Sequence, residues 1–249
     1  MVHLLPLPGT PFYQEGNVEQ ALEKAVADAQ ALEQGGADGC LIQTVDRVYP
    51  AGDEADYARV AAMAAITRAV ADATRPTFQI GVQIMLNALK ASAAVAKVCS
   101  GSFLRCTALV GATMTNSGMV QANPLEFLTY RNQIGAQHIK LIAEVSSMHY
   151  RAVDQKSPAE IARTASRLGA AAVEVAHADE ETNNRLVHDI KHAMPNLPVI
   201  LGGHTNHANA ARRLAQADGA FVGTCLPGEG WGGRIDIERH GNAFEARTR

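Results

Sequence analysis

A (β/α)8 TIM barrel, with eight parallel strands alternating with helices, is the fold this chain predicts, and three observations predict it. The 249 residues match the roughly 250 typical of one such barrel, so a single domain over residues 1–249 is expected. Short apolar runs alternate with helical periodicity along the chain, and Gly-Ala-Asp, Gly-Ser, Gly-Ala and Ala-Asp-Gly recur just before strands. Residues 197–224 hold two strands, 199–201 and 220–222, ending in Gly202-Gly203 and Gly223-Thr224 with a helical run between them, the pattern of the last two units of a barrel. An open doubly wound sheet is the less favoured alternative.

Taken in order, residues 2–5 form a first strand, and Pro6 and Pro8 break it into a loop that runs to Gly16. Asn17 is placed to cap a helix over 18–34, which has apolar residues at helical spacing and stops at Gly35-Gly36. Residues 38–43 are the second strand, and a polar loop over 46–53 leads to an Ala-rich helix ending near Asp72. The third strand covers 77–85, its helix 88–99, and the fourth strand 103–110. Residues 111–123 read as a long loop, and long loops in compact domains are often functional. Pro124 opens the fourth helix at its first position. The fifth strand is 139–145, Ser157-Pro158 start the fifth helix, 171–175 is the sixth strand and 180–193 the sixth helix. Eight uninterrupted strand-then-helix units are expected, followed by a Gly- and Arg-rich tail over 228–249 that covers the barrel or makes an oligomer contact.

Hydrophobic residues at 47% and charged residues at 19% suffice for a substantial core. A net charge of −3 and a pI near 6.3 argue against a nucleic-acid or anionic-membrane surface. The opening is too short and Pro-rich for a signal peptide, and no apolar run approaches the roughly 20 residues that span a bilayer, so a cytoplasmic protein is expected. Cys40, Cys99, Cys106 and Cys225 show no CxxC spacing and read as buried reduced thiols. No Gly-x-Ser-x-Gly elbow, Walker loop or dinucleotide fingerprint is present.

Period-two alternation turns Leu104, Cys106 and Ala108 outward under the helices and leaves Arg105 and Thr107 inward. The same alternation turns Lys140 and Glu144, Gln83, Gln43 and Glu174 inward on their strands. Barrel interiors are normally filled by Val, Ile and Leu, so this polar set needs a reason. One reason is a buried ion-pair network of Arg105 and Lys140 against Glu144 and Glu174. The other is catalysis by Glu144, Glu174 and His177, which lie nearer the carboxyl ends of the strands, where barrel active sites sit. Glu144, Glu174, His177 and His204 could gather on a divalent ion, but their spacing matches no metal signature. No cofactor is therefore expected, and His204-Thr-Asn-His207 reads as a loop and helix cap. The two glycine corners, each beside a hydroxyl (Thr205 and Thr224), point to a phosphate held by Gly202, Gly203, His204, Gly223 and Thr224; the plainer alternative is that the glycines only turn tight corners.

Four separated stretches carry a resemblance: Met1-Val-His-Leu-Leu-Pro-Leu-Pro-Gly9, Gly111-Ala-Thr-Met-Thr-Asn-Ser-Gly118, Ile139-Lys140-Leu-Ile-Ala143, and Asp218-Gly219 through Val222-Gly223-Thr224. Together they resemble the BtpA/SgcQ family across nearly the whole chain. The resemblance implies a ribulose-phosphate-binding type of barrel. It also implies a link to photosystem I biogenesis through one cyanobacterial member and to sugar-uptake genes through another. His3, Asn87, Arg105, Lys140, His149, Gly202, Gly223 and Thr224 keep the family pattern, and Glu144 keeps a carboxylate where an Asp is usual. The chain departs from the pattern at Gln43 (an acid in the family), Gln83 and Thr107 (Asn), Leu86 (Arg), Asn116 (Asp), and Met148 and Pro227 (Lys). His3, Gln43, Gln83, Asn87, Arg105, Thr107, Lys140 and His149 are thus the candidate substrate-binding residues. The expected function is an enzyme acting on a phosphorylated sugar- or nucleotide-like small molecule, as an isomerase, lyase or glycosidic hydrolase. The alternative is a non-catalytic assembly or ligand-sensing protein. Homo-oligomerisation is expected on general grounds.

Overall fold

Alternating strands and helices wind into the barrel that the sequence predicts, and the computed structural model describes residues 1–228, 230 and 232–236 of it. In chain order the first half contains β1 (Val2–His3), α1 (Asn17–Gln34), β2 (Gly39–Gln43), α2 (Tyr57–Ala73), β3 (Gln79–Gln83), α3 (Leu89–Val98), β4 (Phe103–Cys106), β5 (Ala112–Thr115), β6 (Gly118–Gln121) and α4 (Pro124–Gln133). The second half contains β7 (Lys140–Ser146), β8 (Arg151–Ala152), α5 (Pro158–Arg167), β9 (Ala170–Val175), α6 (Glu180–Ala193), β10 (Val199–Leu201), α7 (Ala210–Leu214) and β11 (Gly219–Ala220).

Eight strands pair in parallel in the order β1-β2-β3-β4-β7-β9-β10-β11. The sheet curls until its ends meet, where the Met1 amine donates to the Val222 carbonyl at 2.6 Å. Residues alternate as the period of two requires: Leu104 and Cys106 are fully buried under helices, while Arg105 between them turns to the barrel interior. One contiguous core joins the strands' outer faces to the helices through residues such as Ala25, Ile66, Val82, Ala96, Phe127 and Val173. Cys40, Cys99 and Cys106 are buried, Cys225 is half-buried, and all four are free thiols. Among the described residues no helix is long and apolar enough to cross a membrane.

Local chemistry sets the helix starts. The Asp56 carboxylate accepts from the Ala58 and Arg59 amides, Asn123 accepts from Glu126 ahead of an N1 proline, and Asp179 accepts from Thr182. Ser157 and Glu160 form a full capping box at α5, so Ser157→Ala should cost about 1 kcal/mol in urea unfolding without moving the rest of the fold. The expected cap at Asn17 is corrected: Gly16, at φ 86°, is the cap residue, and Asn17 lies inside the helix with its side-chain amide donating to the Pro6 carbonyl at 3.1 Å.

Two larger expectations are also corrected. Residues 111–123 form a hairpin, β5 against β6, which β8 extends to a three-stranded antiparallel sheet. The turn between β5 and β6 uses Gly118 at φ 106°, and both strands are only half-buried, which blurs the alternation that would have betrayed them. The eighth unit has no helix among the described residues. After β11 the chain doubles back, with Pro227 bridging Ile235 and the Asp236 amide donating to Leu226 at 3.1 Å. It packs on α1 through the Ile235 amide, which donates to Asp28 at 2.8 Å. Pro227 and closely spaced glycines make a poor helix sequence. As far as residue 236 this segment contacts the barrel's own first helix; of the tail expected over 228–249, residues 229, 231 and 237–249 lie outside the described residues.

Candidate active site at the barrel mouth

The carboxyl ends of the strands enclose a cavity of about 430 Å3, within the usual range for small-molecule sites of roughly 300–1,000 Å3. On its floor Arg105 of β4 reaches Glu174 of β9 in a bidentate pair, Nε to Oε2 at 2.5 Å and Nη2 to Oε1 at 2.6 Å. Glu174 is fully buried and lies behind Gly202. A Cβ at residue 202 would fall 2.0 Å from Glu174 Oε1, so only glycine lets the corner after β10 close over the pair. Burial works against the Arg105 charge, but Glu174 and Glu144 outweigh it and hold the guanidinium more firmly protonated than usual.

Glu144 of β7 lies 3.4 Å from Arg105 Nη2, and its buried Oε2 makes no hydrogen bond among the described residues. Burial pushes its carboxyl up to about 7; Arg105 opposes the shift and Glu174 adds to it. A carboxyl that exchanges its proton near neutrality is suited to act as a general acid or base.

A chain of amides continues the floor. Gln43 Nε2 donates to Gln83 Oε1 at 2.9 Å, Arg105 Nη1 donates to the same oxygen at 3.3 Å, and Gln83 Nε2 donates to Thr107 Oγ1 at 3.2 Å. Thr107 in turn donates to the Leu86 carbonyl at 2.7 Å. Of these, Gln43 and Arg105 line the cavity, whereas Gln83 and Thr107 stand behind them. Asn87 is buried and braces Ala108 through paired 3.0 Å bonds, a structural task outside the cavity. His3 lines the floor beside Gly223; burial and the charges of the N-terminus, Lys24 and Arg105 lower its pKa to about 4, so it is a neutral imidazole. His149 also lines the mouth, and burial with Arg105 and His204 lowers its pKa.

The glycine corners after β10 and β11 form the opposite wall. The Gly202 amide donates to Val175 at 2.8 Å, so Gly202 contributes shape rather than a free donor. The amides of Gly203, His204, Gly223 and Thr224 donate to no acceptor among the described residues, and all four residues line the cavity. His204 sits at φ 57°, an uncommon conformation for a residue with a side chain. Next to it, Thr205 Oγ1 is buried, lines the cavity and has no partner among the described residues.

Besides Asn87, two predicted site residues lie away from the cavity. Lys140 has the inward parity of Glu144 but stands at the first residue of β7, exposed at the far end of the barrel. His177 follows β9 closely, yet its amide donates to Asn183 and its ring accepts from the Asp179 amide at 3.1 Å, which ties it into the turn before α6. Accordingly, Glu144, Glu174, His177 and His204 do not gather, and among the described residues no group of three His, Cys, Asp or Glu side chains could hold an ion.

Sequence reasoning missed a wall of loop residues, Arg47, Tyr49, Met85 and Tyr150, together with the clamp behind it. Arg59 Nη2 donates to Thr44 Oγ1 at 2.8 Å and to the Met85 carbonyl at 3.0 Å, and it ion-pairs with Asp46, whose other oxygen accepts from the Leu7 amide at 3.0 Å. This buried clamp ties together the loops after β1, β2 and β3. Its signal in the sequence was an arginine on the stripe 59, 62, 63, 66, 70 that α2 buries.

The sequence model of the BtpA family matches residues 1–248. An uncharacterized protein of Archaeoglobus fulgidus is 30% identical over 242 residues, covering 96% of this chain and 93% of its own. The photosystem I biogenesis protein BtpA of Synechocystis is 26% identical over 250 residues, covering 99% and 82%. Among solved structures, a tryptophan synthase from M. tuberculosis superposes with a TM-score of 0.62 at 18% identity, covering 98% of this chain and 90% of its own. The phosphoribosyl anthranilate isomerase of Thermus thermophilus gives 0.57 at 13% identity, covering 90% and 94%. At these identities the structural likeness concerns the fold.

Proposed function

The chain belongs to the BtpA family, and on that premise we propose that it is an enzyme that binds a phosphorylated small molecule at the barrel mouth and moves a proton on it with Glu144. The observation that carries the reading is the pairing of two features across one cavity: a wall of unpaired amides with the buried, unpartnered Thr205 hydroxyl, and a buried carboxyl with a pKa near 7. Backbone N–H groups at glycine corners hold phosphate well in barrels of this kind. The name of the isomerase that shares the fold, which carries a phosphoribosyl group, fits the same reading.

In this reading phosphate rests on Gly203, His204, Gly223 and Thr224, with Thr205 Oγ1 donating to it. Arg105, locked by Glu174, keeps one face toward Glu144 and the bound ligand. Glu144 takes or gives the proton, either beside a carbonyl, as in an isomerase or lyase, or on the oxygen of a glycosidic bond. Neutral His3 and the Gln43 amide orient the ligand's polar groups. A non-catalytic assembly role has one observation in its favour, the biogenesis protein among the relatives. The mouth itself speaks against a filled, vestigial site, because Leu86 and Leu226 are buried away from the cavity and only Met148 reaches it.

Thermal unfolding against inorganic phosphate and ribose 5-phosphate tests the proposal. A ligand at about 100 times its Kd should add roughly 2.7 kcal/mol of stability. The Gly203→Val variant should lose that gain, since even a Cβ there would crowd Met148 Cε at 3.1 Å and enter the wall that holds the phosphate. No gain in the native protein, or a gain that Gly203→Val retains, would reject the site.

A further inference from the structure

Apart from the exposed Arg47, the wall that faces the glycine corners is aromatic and apolar, and it bears on what the ligand is. In the ring of strands, β10 and β11 are the seventh and eighth, so the point half a turn away lies between the third and fourth, β3 and β4. There Met85, Leu86, Ala108 and Val120 form a buried apolar cluster of their own, and Tyr49 and Tyr150 pack on it from the loops after β2 and β7. Both tyrosines and Met85 also line the cavity. Tyr49 is fixed from outside the cavity, with the Arg59 guanidinium carbon 5.9 Å from its ring centroid. The two walls therefore differ in kind: unpaired amides and a hydroxyl on one, aromatic rings over an apolar cluster on the other, with Arg105 and Glu144 on the floor between them.

Building on the phosphate reading above, we infer that the ligand has two ends, a phosphate on the glycine corners and a planar ring against Tyr150 and Tyr49. A ring-bearing sugar phosphate, such as a nucleoside 5′-phosphate, is the chemical class that matches both walls. It places the sugar, and the bond that joins sugar to ring, over Glu144 and Arg105. Burial and the Glu144 charge push the Tyr150 phenol up to about 12, so it stays neutral and offers its face and a hydrogen bond without adding charge.

Calorimetric titration with ribose 5-phosphate, adenosine 5′-monophosphate and uridine 5′-monophosphate separates the two ends. Both nucleotides should bind roughly tenfold or more tightly than ribose 5-phosphate. Tyr150→Leu should remove that advantage and leave ribose 5-phosphate affinity within about twofold, while Tyr150→Phe should retain it. Melting curves of both variants check that the apolar cluster still folds. Equal affinity of the native protein for nucleotides and ribose 5-phosphate would overturn the ring wall and leave the phosphate site standing. An advantage unchanged in Tyr150→Leu would overturn it too. Failure of all three ligands, and of inorganic phosphate, would remove the phosphate reading and this inference with it.

Discussion

Glu174→Ala will destabilise the protein by roughly 3–5 kcal/mol, the usual cost of removing one partner from a buried ion pair. Arg105 would keep its charge in the barrel interior, with only Glu144 at 3.4 Å and the Gln83 oxygen at 3.3 Å in place of a bidentate carboxylate. Gly202→Ala should approach the same loss by a different route, since its methyl group would overlap Glu174 Oε1. Urea unfolding measures both changes. The double replacement of Arg105 by Met with Glu174 by Met should cost clearly less than the sum of the single changes, because no unpaired charge remains. A Glu174→Ala cost below about 1 kcal/mol would mean that solvent reaches the floor and that the pair is not the anchor of the site.

The second large effect belongs to Glu144 and depends on pH. Its folded pKa is raised, from 4.5 to about 7, so the fold favours the protonated form. Below about pH 4.5 the carboxyl is protonated in folded and unfolded chains alike, and its contribution to stability is fully present. As pH rises the unfolded chain ionises first, and stability is lost until pH passes about 7, where the loss is complete. The span amounts to about 3 kcal/mol. Glu144→Gln has no such titration, so its stability relative to the native protein should rise by about that amount between pH 4 and pH 8. Curves that stay parallel across this range would refute the raised pKa. If Glu144 carries the proton in catalysis, the same variant should bind phosphate as before, lose turnover by roughly 10²–10⁴-fold, and lose the inflection near pH 7 in its rate profile. A more stable but inactive protein is a common outcome where an active site holds a strained group.

Arg105, Glu144, Glu174, Gln43 and Gln83 could be picked out of the sequence because strand parity is local: a residue's face follows from its neighbours, and a polar residue on an inward face stands out among Val, Ile and Leu. The same parity misled at Lys140. It says which face a side chain takes but not how far along the barrel axis it stands, and Glu144 comes four positions after Lys140 along β7. His177 misled for a related reason: closeness to a strand end does not reveal that the ring is already engaged by the turn it sits in. Tyr49 and Tyr150 went unnoticed because loops have no period to read.

From residues alone, the chain determines the order of its eight barrel strands and of the seven helices among the described residues, the inward polar set and the two glycine corners. Each of these rests on spacing, caps and turn chemistry within a few residues, and the folded barrel keeps them. Pairings between distant segments were decided only in three dimensions: Arg105 with Glu174 and not Lys140, Gly202 over Glu174, Arg59 clamping three loops, and Tyr150 lining one cavity with the corners after β10 and β11. Curling the sheet sets each residue's height and its position around the ring, and those two coordinates depend on every strand at once.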